Sequence, residues 1–122
     1  MDAAAVLARL VAVIDAHDWV AMPALLHEDF VCRLVHTGET FDRDGWVRFN
    51  ADYPGFDRIV LQDEVAAGER AVGRAHVTGF TGDDRHHFEV AMFLTVRDGL
   101  IVENIEVWAE AGQIAPDGTR PA

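Results

Sequence analysis

Three residues carry the chemistry this sequence could do: Arg74, His76 and Glu106. Arg74 and His76 stand two apart in the run AVGRAHVTGF, and side chains two apart on a strand share a face. Glu106 lies in the last apolar run, LIVENIEVWAE, where alternation puts Asn104, Glu106 and Trp108 on one face and Glu103, Ile105 and Val107 on the other. A guanidinium, an imidazole and a carboxylate gathered out of water could move a proton. Imidazole titrates near neutrality, and a carboxyl in an apolar pocket tends upward in pKa unless a cation holds it ionised. The plainer alternative is that Arg74 and His76 face water, as polar residues on antiparallel strands commonly do. Alternation alone does not say which face of this strand looks inward. The opposite set, Ala71, Gly73, Ala75, Val77 and Gly79, is small and flat and suits close packing against a helix or a second subunit.

The elements that must position these residues fall in a clear order. Val6, Leu7, Leu10, Val11 and Ile14 have helical spacing, with Asp2 placed to cap the start. Asp18 can cap a second short helix, WVAMPALLH, in which Pro23 predicts an irregular turn. A strand follows over Asp29 to His36. Asp42 then opens a third helix, RDGWVRFNADY, which Pro54 and Gly55 end. Four strand-like runs come next, separated by Gly68-Glu69, Thr81 to Asp84 and Asp98-Gly99, all hairpin chemistry. Helices first and antiparallel strands later argue an α+β fold, with helices packed on one face of a curved sheet and a pocket between the layers.

Composition narrows the function classes. The chain has 122 residues, of which 50% are hydrophobic, enough for one domain with a sizeable core. We place the domain at residues 1 to 110 and a loose tail at 111 to 122. A formal charge of −11 argues against nucleic acid as a partner. No apolar stretch approaches the roughly 20 residues of a membrane span. The start has no basic region of the signal-peptide kind, and Cys32 is the only cysteine. A cytoplasmic protein with no disulfide and no membrane partner is the expectation.

The segments ALLHEDF, DRDGWVRF and VRDGLIVENIEVW, over residues 1 to about 110, resemble the NTF2-like superfamily. That superfamily includes ketosteroid isomerases, SnoaL-like polyketide cyclases and limonene-epoxide-hydrolase-like enzymes. The resemblance implies an NTF2-like (cystatin-like) cone of three N-terminal helices on a curved, mostly antiparallel sheet. It also places the polar face of the Arg74 strand inside the cone. The ketosteroid isomerase machinery is missing: Leu10 stands where the tyrosine would be, Val35 or His36 where the base would be, and Met92 where the protonated aspartate would be. The epoxide-hydrolase pattern is nearer. Arg74-Ala75-His76 matches its Arg-x-Asp with histidine for aspartate, and Glu106 stands seven residues after Gly99.

The resulting expectation is cofactor-free general acid–base catalysis by Arg74, His76 and Glu106 on a small apolar or partly polar molecule, as an isomerase, cyclase or hydrolase. The pocket would be lined by His36, Trp19, Tyr53, Met92, Asn104 and Trp108. The alternative is a non-catalytic ligand-binding or dimerisation domain on the same fold. His86 and His87 are adjacent and so point to opposite faces, which argues against their forming one metal site. Glu89, Ala91, Phe93, Ile105 and Val107 would form a partly apolar outer face, suited to a two-fold homodimer.

Overall fold

The computed structural model describes residues 1–121. Helix α1 (Ala3–Asp15) forms where the apolar spacing demands, and the Asp2 carboxylate accepts the Ala5 N–H at 2.9 Å. It buries Val6, Leu7, Leu10, Val11 and Ile14 against the sheet. Helix α2 (Arg43–Asp52) starts at Asp42, whose carboxylate accepts the Gly45 N–H at 2.8 Å, and buries Trp46 against Phe30. The segment expected as a second helix is a single 3-10 turn, Met22–Leu25. Pro23 would fall in the interior of the expected helix, where its missing N–H and its ring break regular α geometry; at the start of the short turn it is tolerated.

Six strands build one sheet in the order β2-β1-β6-β5-β4-β3. They are β1 (Leu26–Leu34), β2 (Thr40–Asp42), β3 (Phe56–Ala67), β4 (Arg70–Thr81), β5 (Asp84–Arg97) and β6 (Leu100–Glu110). All neighbours pair antiparallel except β1 and β6, which are parallel. The β5–β6 hairpin turns on Asp98 and Gly99, both at positive φ, the backbone that matches strand twist in a tight turn.

Register fixes what faces the helices. Gly73, Met92, Glu106 and Leu34 form one row across four strands, and Ala75, Val90 and Trp108 form the next. Of these, Ala75, Met92, Val90, Leu34 and Glu106 are buried. The next row on the other face runs Arg74, Ala91, Val107. At Gly73 an added Cβ would sit 2.9 Å from Leu7 Cδ2 and 3.0 Å from Leu61 Cδ1. The small face of β4 is therefore the inner one, because α1 lies directly on it. Residues 111–121, after β6, carry no helix or strand.

Candidate functional site

A cavity of about 480 Å³ opens between the helices and the inner face of the sheet, within the usual size of small-molecule sites. Its apolar walls include Ile14, Leu34, Ile59, Val77, Val90 and Met92, with rings from Phe49, Tyr53, Phe56, Phe80, Phe88 and Trp108. Its polar groups include Glu106, His36, Thr78, His86 and Glu110.

Glu106 is the centre of that set. It is 6% exposed, on the middle of β6 where the strand is covered on both edges by β1 and β5. Asn104 Nδ2 donates to Glu106 Oε2 at 3.1 Å, and Trp108 Nε1 donates to Oε1 at 3.2 Å. Both donors come from the same strand, two residues to either side, so the alternation of β6 itself builds the carboxyl's setting. Burial pushes the Glu106 pKa above the ordinary glutamate value, and the two donors oppose the rise only in part. The carboxyl makes no salt bridge among the described residues. Cys32, buried on β1 opposite Asn104, is pushed upward by burial and by the Glu106 charge, which makes it a poor nucleophile.

The expected convergence of Arg74, His76 and Glu106 does not form. Arg74 and His76 lie on the outer face of β4, opposite the cavity. Arg74 Nη1 donates to Gln62 Oε1 at 2.7 Å and sits 3.8 Å from Glu89. His76 Nδ1 donates to Glu89 Oε1 at 3.1 Å, and its Nε2 lies 2.9 Å from His87 Nδ1. The physical reason is the helix: a guanidinium could not occupy the inner row where Gly73 already touches Leu7. Glu106 therefore has no cationic partner from β4.

The pocket residues divide. His36, Tyr53, Met92 and Trp108 line the cavity. The His36 ring lies 6.4 Å from that of Trp108, near the entrance, since His36 and Tyr53 are exposed. Asn104 is fully buried behind Glu106 and acts on the site through it. Trp19 does not line the cavity. It packs 5.6 Å from His17 and 6.3 Å from Phe56, behind the wall that Phe56 forms. His17 Nε2 donates to the Asp57 carbonyl at 2.8 Å and its ring stacks on Phe56, so it steadies that wall. His86 and His87 do point to opposite faces: His86 lines the cavity and contacts Thr81 Oγ1 at 3.1 Å, while His87 meets His76. Among the described residues no cluster of three or more His, Cys, Asp or Glu could hold a metal ion.

Sequence reading missed Phe56, Phe88, Val90 and His86 as wall residues. The signal was available for three of them, since His86, Phe88, Val90 and Met92 alternate on β5 with the inward Met92. Phe56 has no such signal. It faces the cavity because β3 starts with a register shift between Phe56 and Arg58.

A curved six-stranded sheet of this order backed by helices is the fold of the NTF2-like class of α+β domains. Within it, the chain belongs to the SnoaL-like domain family, whose model matches residues 7–104. Solved structures agree on the fold. A ketosteroid isomerase candidate from Kribbella flavida DSM 17836 is 29% identical, with a TM-score of 0.80, covering 92% of this chain and 81% of that one. IdmH, a polyketide cyclase candidate from Streptomyces antibioticus, is 22% identical, with a TM-score of 0.75 over 88% and 92% of the two chains. An LEH-like epoxide hydrolase from M. tuberculosis is 17% identical, with a TM-score of 0.74 over 85% and 80%. No curated protein matches the sequence. No helix among the described residues is long and apolar enough to cross a membrane.

Proposed function

We propose that this protein is a small-molecule enzyme that works by general acid–base catalysis without a cofactor, with Glu106 as its proton carrier. The reaction class is isomerisation, cyclisation or water addition, in keeping with the names of its structural neighbours. One observation carries the reading: Glu106 is buried at a cavity wall, held by two neutral donors and no cation. A carboxyl with a raised pKa can hold a proton closer to neutral pH than an ordinary glutamate, and is a stronger base when it loses it. Asn104 and Trp108 fix its orientation, so it meets a bound molecule in one geometry. His36, at the cavity entrance, is a further titratable group on the same side of the sheet, with His86 and Glu110. It takes the place of His76, which the outer face removes from reach.

The test is a screen of carbon acids, cyclisable polyketide-like ketones and epoxides in D2O, followed by NMR, with the wild type beside Glu106→Gln. Turnover or deuterium exchange should fall by at least about 100-fold in the variant, the scale of a general acid–base contribution. Equal rates in the two proteins remove Glu106 from the mechanism. Binding of these compounds without any turnover favours the alternative, a ligand-binding domain.

We also propose a homodimer through the outer sheet face. Val107 is 44% exposed there, beside the part-buried Ile105 and Phe93. Such a surface suits a second copy of itself better than water.

A further inference from the structure

The cavity has a sign. Its wall contains the carboxylates Glu106 and Glu110 and not one lysine or arginine among the described residues. Thr78, also on the wall, donates to a third carboxylate, Asp57, at 3.2 Å. Arg85 lies 5.9 Å from the centroid of the Phe80 ring. It uses a face of one wall ring as a cation would and does not itself line the cavity. Six aromatic side chains border the space: Phe49, Tyr53, Phe56, Phe80, Phe88 and Trp108. The face of each ring carries the negative lobe of its quadrupole, which attracts a cation within about 6 Å. Around all this the whole molecule has a formal charge of −11, and a cleft in an acidic surface concentrates cations.

Each of these features is unfavourable for an anion. A carboxylate, phosphate or thioester-linked nucleotide would enter with no positive partner and against a buried acid. A neutral hydrocarbon would be tolerated but would leave Glu106 desolvated and only half satisfied, with one neutral donor on each oxygen. A cation would complete the carboxylate and meet the ring faces together.

We propose that the ligand of this cavity is a small organic cation: an amine or quaternary ammonium centre carried on an apolar, ring-sized body, with Glu106 as its counter-ion and the aromatic walls as its cage. The proposal rests on the reading of this cavity as the functional site and narrows its substrate class. The cationic centre sits over Trp108 and Phe88, whose rings lie 6.2 Å apart at 73°, forming a corner beside the carboxyl. The apolar body extends toward Ile59 and Val77. Glu110, near the end of β6, draws the cation to the entrance.

The test compares two probes of one shape that differ in charge: 4-hydroxyphenyltrimethylammonium and its neutral isostere 4-tert-butylphenol, with 4-hydroxybenzoate as the anion. Affinities are measured by calorimetry and by tryptophan fluorescence. The cation should bind at least about tenfold more tightly than the isostere, and the anion should not bind. Glu106→Gln should remove most of that preference, with the cation's affinity falling toward that of the neutral probe. Glu110→Gln, at an exposed position, should weaken only the cation, by about twofold, and serves if the first variant fails to fold. Tighter binding of 4-tert-butylphenol than of the cation overturns the cation assignment and leaves the cavity as a ligand site. Failure of all three probes to bind overturns both.

Discussion

Asn104 Nδ2 lies 3.1 Å from Glu106 Oε2, with both side chains buried on one face of the same strand. The other end of the Asn104 amide, Oδ1, is buried with no partner among the described residues. The amide thus gives its donor to Glu106 and leaves its acceptor unsatisfied, a cost of about 1–3 kcal/mol that packing alone would not retain. Asn104 is best understood as a positioning residue for the carboxyl.

Asn104→Leu tests that understanding. The change removes the orphan acceptor and strips Glu106 of one donor, so stability should move by no more than about 1 kcal/mol in urea unfolding. The Glu106 titration should move further upward, because a donor that favours the charged form is gone. An unchanged titration would mean that the bond is not made in solution.

Glu106 should also give stability a pH signature. Its folded pKa lies above the unfolded value of about 4.5, so the folded protein binds more protons between the two. Stability then falls as pH rises from about 4.5 through the folded pKa, and is fully present below 4.5. Glu106→Gln lacks this slope. Thermal melts from pH 4 to 9 should show the variant gaining on the wild type across that window. Parallel curves would contradict a desolvated carboxyl.

Asp15 should show the opposite sign. It accepts from Arg58 Nε at 2.7 Å, from Arg58 Nη2 at 3.0 Å and from the Ile59 N–H at 3.1 Å, tying the end of α1 to β3. The Arg58 hydrogen bond, above all, lowers its pKa. Its contribution is present above about 3.8 and is lost as pH falls through the lower folded value. Asp15→Asn should lower the melting temperature at pH 7, and the loss should shrink toward pH 2.

Gly55 sets the cavity's edge. It has a φ of +78°, and a Cβ there would stand 1.9 Å from the Phe80 carbonyl oxygen. The Phe80 N–H also donates to the Gly55 carbonyl at 2.7 Å. Gly55→Ala should therefore cost about 2 kcal/mol or more and detach the α2–β3 loop from β4. A variant as stable as the wild type would mean that this close approach is not kept.

The outer face makes a fourth kind of prediction. Val107→Arg should shift the protein from dimer to monomer in sedimentation equilibrium, because the new charge would be buried at the contact. A wild-type monomer at high micromolar concentration would remove the proposed interface.

Much of this was legible in the residues. Period-two spacing placed Asn104, Glu106 and Trp108 on one face, and the hairpin turns fell where glycine and aspartate marked them. The inward face of β4 was not legible from alternation, which defines two faces without ranking them. The answer was present in residue size: Ala71, Gly73 and Ala75 leave room for Leu7, whereas Arg74 and His76 would not. The family resemblance pointed the other way, because it carries charge types between strands without testing the space beneath a particular helix. Trp19 was misplaced for a related reason, since the segment around it is a turn and helical spacing says nothing about its direction.

The most direct measurement is a carbon-13 NMR titration of the Glu106 carboxyl, assigned by comparison with Glu106→Gln and repeated with saturating 4-hydroxyphenyltrimethylammonium. The free protein should titrate above the ordinary glutamate value of about 4.5, and the bound cation should draw the midpoint down by holding the carboxylate ionised. An ordinary midpoint that ignores the cation would contradict both the desolvated proton carrier and its charged ligand.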